Sequence, residues 1–110
     1  DGRCSAVVGT HTHVQTADAR ILPKGTAYIT DAGMCGALDS VIGMEAEQII
    51  ERFRLQLPKK FEAARKRPAA CGVWVEIDAG TGHARQIQRF QALPGADGVA
   101  LRVEPGLHPE

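Results

Sequence analysis

The sequence lacks net charge, long apolar runs, paired cysteines and all but a few aromatic residues. Each absence removes a class of function. Lys plus Arg number 13 and Asp plus Glu number 13, so there is no electrostatic case for binding duplex nucleic acid or an anionic membrane. No stretch approaches the roughly 18 consecutive apolar residues of a membrane span. The opening Asp1-Gly2-Arg3 shows no basic start followed by an apolar run, so no secretory signal is read there. Cys4, Cys35 and Cys71 are too far apart for a Cys-x-x-Cys zinc or redox pair. They read as reduced, partly buried thiols of a cytoplasmic protein.

What remains is an ordinary globular composition. With 110 residues, 44% of them hydrophobic, one domain with its own core is expected. There is no internal repeat. Ser5 to Gly9 is a short apolar run ending in glycine and reads as a buried strand. Arg20-Ile21-Leu22 and Thr26 to Thr30 flank Pro23-Lys24-Gly25, which predicts a hairpin. Met34 to Gly43 reads as an irregular, glycine-containing loop.

The clearest element is a helix over Glu45–Leu57. Ala46, Ile49, Ile50, Phe53 and Leu57 repeat at the helical period, and Pro58 ends the run. This stripe is expected to pack on a sheet. Lys59 to Pro68 is basic but carries no pattern of interleaved aromatics for base stacking, and it reads as a solvated connection. Gly72 to Asp78 alternates, with Val73, Val75 and Ile77 on one face and Trp74 and Glu76 on the other. His83 to Phe90 returns after Ala79-Gly80-Thr81-Gly82, completing a second hairpin. Residues 92–110, rich in proline and glycine, read as a tail of uncertain order.

The chemistry is concentrated in Gly9-Thr10-His11-Thr12-His13-Val14. In extended backbone, residues two apart project to the same side. His11 and His13 would then reach one small volume at a strand's carboxyl end, where ligands of open α/β sheets gather. Neutral imidazole is a common ligand of zinc, iron and related ions. The small neighbours leave room, and the threonine hydroxyls are available to orient water or phosphate. On residue types alone, the pair reads equally as metal ligands or as two solvent-facing histidines. A closed site needs three or four ligands. His83 and His108 read as surface residues, and Asp18, Asp31 and Asp39 have no recognisable ligand spacing.

A longer ordered match carries more information. Gly9 to Asp18 with its Gly-Thr-His-Thr-His core, Arg20-Ile21-Leu22-Pro23 and Gly25 to Asp31 resemble the YmdB-like family of calcineurin-type bacterial metallophosphoesterases. So do Asp39 to Gly43, Ile50-Glu51-Arg52-Phe53 and Asp78 to Ile87. The match covers roughly residues 1–91. The resemblance implies an α+β fold, the C-terminal part of an α/β/β/α metallophosphoesterase sandwich with a mixed sheet, one clear helix and hairpins.

It also implies hydrolysis of 2′,3′-cyclic nucleotides to 3′-nucleotides at two divalent ions, iron or manganese or else zinc. His11 and His13 would each ligate one ion. Hydroxide would attack phosphorus in line, and a histidine would protonate the leaving oxygen. The family's remaining ligands are an Asp, a Glu-Asn pair, an Asn-His pair and a further His, all upstream of the His-x-His turn. With that turn at residue 11, and with no initiator Met, the chain is expected to be the C-terminal portion of a longer enzyme. The catalytic proton donor is then expected outside it, and the chain by itself is expected to be inactive.

A split sheet would expose strand edges, so self-association and a homo-oligomer are expected. Cys35-Gly36-Ala37-Leu38 departs from the Thr-Gly-Pro-Tyr that the family places after the equivalent of Met34. That changes a loop and not the histidines. Two other readings stay open: a non-catalytic module binding metal weakly, and a phosphomonoesterase of the same superfamily.

Overall fold

The computed structural model describes residues 1–58 and 60–105. Its elements in chain order are β1 (Ala6–Val8), β2 (Arg20–Ile21), β3 (Ala27–Ile29), β4 (Gly36–Ala37), α1 (Ala46–Leu55), β5 (Pro68–Ile77), β6 (Ala84–Gly95) and β7 (Gly98–Pro105). They form two sheets. The first has the order β1-β3-β2, with β1 parallel and β2 antiparallel to β3. The second is antiparallel throughout, in the order β4-β5-β6-β7. This is the α+β class, with one helix, a mixed sheet and hairpins.

The sheets meet through small and branched side chains. Ala19, Ile21, Ala27 and Ile29 from the first pack against Ala84 and Ile87 from β6, with Ala6, Val73 and Val75 around them. Ile29 and Ile87 are completely buried. The core is thin. The radius of gyration is 17.4 Å, against about 13 Å for a compact chain of this length.

The first predicted hairpin forms. Gly25 N–H donates to the Leu22 carbonyl at 2.9 Å, and Leu22 N–H to the Thr26 carbonyl at 2.8 Å. Gly25 takes a φ of 95°, a conformation open to glycine at little cost. The second hairpin also forms and runs longer than its alternating pattern. Val73 and Val75 face the core as expected. Ile77 does not: a register shift between Glu76 and Ile77 breaks the alternation and leaves Ile77 exposed.

Other expectations are corrected. β1 is not a buried strand: it lies at a sheet edge, and Val7 and Val8 are exposed. The segment read as a tail is structured from residue 92 to 105. Leu93 pairs with Ala100 and Pro94 with Val99 across a two-stranded continuation of the hairpin. Pro94 belongs to β6, whose continuation faces β7 alone, so its missing N–H breaks no central ladder. His108 lies outside the described residues. Two of the three cysteines, Cys4 and Cys35, are exposed, and all three are free thiols.

The helix spans Ala46–Leu55 and ends on Gln56, which takes a left-handed conformation and donates its N–H to the Arg52 carbonyl. Pro58 follows. Among the described residues, its apolar stripe packs on no sheet. Ile50, Phe53 and Leu57 are exposed, Phe53 at 80%. What holds the helix is a returning stretch of chain. Glu45 N–H donates to the Glu62 carbonyl, Glu62 N–H donates to the Gln48 side chain, and Arg52 stacks on the Phe61 ring at 4.9 Å. Among the described residues, no helix is long and apolar enough to cross a membrane.

Candidate metal-ligand turn

Chain tightness brings the turn to its position. Gly9 leaves β1 against the end of β3, its N–H donating to Ile29 and its carbonyl accepting from Ala32. A Cβ at Gly9 would fall 2.0 Å from the Thr30 carbonyl oxygen. Only glycine fits there without moving a strand. Downstream, Thr16 N–H donates to the Asp31 carbonyl at 3.1 Å, and Asp31 N–H returns to the Thr16 hydroxyl at 2.9 Å. The Gln15 amide reaches the carbonyls of Ala32, Gly72 and Phe90, tying the turn to the second sheet. Residues 10–14 therefore bridge two fixed points.

Both histidines are exposed on this bridge. The backbone there is not extended, as the spacing argument assumed. His11 has φ 120° and His13 has φ 66°, both in the left-handed region that favours glycine. Such residues cost on the order of 1–3 kcal/mol each and persist where surrounding contacts impose them. His13 Nδ1 lies 3.0 Å from the Ile42 carbonyl. A carbonyl only accepts, so Nδ1 carries the hydrogen, and in the neutral tautomer that this contact favours the electron pair sits on Nε2. A ligating histidine is commonly oriented by its second nitrogen in this way.

The sequence pattern passed over Asp31, and the structure brings it under the turn. Asp31 is fully buried. Its Oδ2 accepts from the Thr12 N–H at 2.5 Å and from the Thr12 hydroxyl at 2.8 Å, and its Oδ1 accepts from the Gly33 N–H at 2.8 Å. The Gly33 bond, then the Thr12 hydroxyl, holds the carboxyl below the usual carboxylate range, against the opposing effect of burial. The Thr12 hydroxyl is thus turned inward, and not toward water or phosphate as the sequence suggested.

Asp18 is the second anchor. It accepts from the Thr16 hydroxyl at 2.6 Å and from both the amide and the hydroxyl of Thr30. These bonds, the Thr16 hydroxyl foremost, lower its pKa from 3.8 to about 2. Asp39 is elsewhere, 3.3 Å from Arg67 on the surface. His83 is exposed beside Gly25. Among the described residues, no group of three or more His, Cys, Asp or Glu side chains is arranged to hold a metal.

The donor set fits part of a metal site. It offers two exposed imidazoles, one with its ring orientation fixed and its Nε2 free. The order of these residues along the chain matches a family model, that of the YmdB-like proteins, over residues 1–90. The chain belongs to the YmdB-like family. A relative from Bacillus subtilis, named 2′,3′-cyclic-nucleotide 2′-phosphodiesterase, is 58% identical over 90 residues, covering 82% of this chain and 34% of the relative. A putative phosphatase/phosphodiesterase of Mycoplasma pneumoniae is 48% identical over 82 residues, covering 74% of this chain and 29% of its own length. The fold agrees. The crystal structure of a novel phosphatase from Mycoplasma pneumoniae superposes with a TM-score of 0.75 at 38% identity, covering 96% of this chain and 34% of that one. A hypothetical protein from Thermus thermophilus gives 0.73 at 39% identity, covering 96% and 37%. This YmdB-like chain spans about a third of the length of the curated relatives it matches.

Proposed function

We propose that the protein carrying this chain is a metal-dependent phosphoesterase acting on 2′,3′-cyclic nucleotides, and that His11 and His13 are ligands of its two divalent ions. The observation that carries this reading is the His-x-His turn held in a strained backbone, inside a match to phosphodiesterase relatives that extends over residues 1–90. When bound, the ions would supply an activated hydroxide and charge stabilisation at phosphorus.

The chain's own residues do three things. His13, exposed and oriented through Nδ1 by the Ile42 carbonyl, offers Nε2 as its ligand atom. His11, exposed two residues earlier, presents a second imidazole. Gly9, Gln15 and Thr16 hold the bridge at both ends, so the imidazoles stand on a fixed base. Two imidazoles do not make a shared two-ion site. The remaining ligands and the proton donor are assigned to segments outside this chain, and the chain alone is inactive on this reading. Iron and manganese suit mixed nitrogen and oxygen ligands, as zinc does. A cytoplasmic location fits the free thiols, two of them exposed. A homo-oligomer belongs to the same reading; Trp74, Leu101 and Val103 lie together as an exposed apolar face on the second sheet, which a second copy or the rest of the protein would cover.

Manganese-loaded full-length protein is expected to open 2′,3′-cyclic AMP to a 3′-nucleotide. His11→Ala and His13→Ala are each expected to reduce turnover at least about 10²-fold, the scale of losing a positioned catalytic group. Unchanged rates in both variants contradict the assignment. Hydrolysis of phosphomonoesters alone would move the substrate class and leave the metal site in place.

A further inference from the structure

We propose that Asp31, acting through Thr12, is the positioning residue that sets the geometry of the two histidines. The inference rests on the reading of His11 and His13 as metal ligands.

Residues 10–14 span two fixed ends, Gly9 on β3 and the Gln15–Thr16 pair on Asp31 and the second sheet. A five-residue bridge fixed only at its ends retains freedom about the peptide planes in its middle. Thr12 is the middle residue. Both its N–H and its hydroxyl end on one oxygen, Asp31 Oδ2. The first bond fixes the peptide plane joining His11 to Thr12. The second fixes the Thr12 side-chain torsion. With that plane set, the torsions at His11 and His13 have little room, and both histidines sit at positive φ. The strain has an identifiable source: a buried, ionised acceptor directly beneath a solvent-exposed turn.

Asp31 is suited to this by its own surroundings. It is fully buried, so it cannot swing to follow the turn. Its Oδ1 is committed to the Gly33 N–H, and its backbone N–H and carbonyl are both bonded to Thr16. One residue thus clamps the middle of the bridge with its side chain and the downstream end with its backbone. The Thr12 hydroxyl also reaches the Val14 carbonyl, at 3.0 Å. A carboxylate at 2.8 Å is the stronger partner. Both carboxylate oxygens of Asp31 and the Thr12 hydroxyl are already engaged in these bonds, so the role assigned to the pair is to hold the turn rather than to ligate metal.

The experiment compares four variants of the full-length protein: Asp31→Asn, Thr12→Val, Thr12→Ser and His13→Ala. Manganese affinity is read by calorimetry, folding by thermal unfolding, and catalysis as kcat and KM separately. Removing a residue that orients a ligand costs about 10- to 100-fold in metal affinity. Asp31→Asn is expected near the upper end, because an amide turned toward the Thr12 N–H repels it. Thr12→Val keeps shape and loses one bond, so about tenfold is expected. Thr12→Ser restores the hydroxyl and is expected to bind like the parent. In the first two, kcat at saturating manganese falls and KM for the nucleotide is unchanged, since neither residue touches substrate. If Asp31→Asn does not fold, the exposed Thr12→Val decides the matter. Parent-like metal affinity in Thr12→Val and in any folded Asp31→Asn, with affinity lost in His13→Ala, overturns the positioning role and leaves the ligand assignment standing. Unchanged affinity in His13→Ala overturns both.

Discussion

The turn at residues 9–16 and the helix at Ala46–Leu55 are opposite cases. The turn has poor local propensity and two histidines in backbone conformations that favour glycine, yet the side chains of Thr12, His13, Gln15 and Thr16 are all hydrogen-bonded. The helix has a regular apolar stripe and a proper left-handed end, yet it buries none of its residues. Periodicity says that a helix will form. It does not say what will cover it. The turn teaches the reverse: strain at His11 and His13 persists because a buried carboxylate and a tight glycine impose it from below.

Four changes test this contrast, in decreasing order of effect. Ile87, fully buried at the meeting of the two sheets, marks the reference. Ile87→Ala is expected to cost about 3 kcal/mol in denaturant unfolding. A loss near zero would mean the sheets do not pack as described. His11→Gly is next, with the opposite sign. Relief of the φ of 120° is expected to stabilise the fold by about 1 kcal/mol. Destabilisation would show that the histidine conformation carries no strain.

Acidification comes third. Asp18 has an ordinary pKa of 3.8, lowered in the fold to about 2. Its anchoring contribution is therefore complete above about pH 4 and is lost as pH falls toward about 2. Asp31, shifted in the same direction, adds to the same trend. Asp18 is only half-buried, so solvent screening reduces the effect. Unfolding curves from pH 5 to pH 2 should flatten in Asp18→Asn, and an identical slope in the variant rules the anchor out. The smallest change is Phe53→Ser on the uncovered helix stripe. With Phe53 80% exposed, its effect on this chain's stability is expected to stay under about 0.5 kcal/mol. A loss of several kcal/mol would reveal a packing partner for the helix.

Much of the architecture was legible. Pro23-Lys24-Gly25 marked the first hairpin through turn chemistry, and the alternation of Val73 and Val75 placed β5 on the core. The helix was read within two residues of its ends. The errors share a cause. The exposure of Val7, Ile50 and Ile77 depends on what lies beside each element, or on a bulge, and neither is written in local periodicity. Pro94 and Gly98 looked like disorder because those residues also build β-turn hairpins at sheet edges. At the site, His11 and His13 were visible as residue types, and the glycine before them was visible as part of the motif. Asp31 was not, because it is 19 residues from Thr12 in sequence and meets it only when β1 and β3 pair. A signal existed in the neighbouring glycine: Asp31-Ala32-Gly33 has the form of an Asx turn, with Gly33 N–H on Oδ1.

The central claim is that His11 and His13 ligate metal. X-ray absorption at the metal edge of the full-length, manganese- or zinc-loaded protein tests this most directly, because it reads the ligands without reference to turnover. Imidazole scattering with metal–nitrogen distances near about 2.1 Å is predicted, reduced in His11→Ala and again in His13→Ala. Identical spectra in the parent and both variants would contradict it.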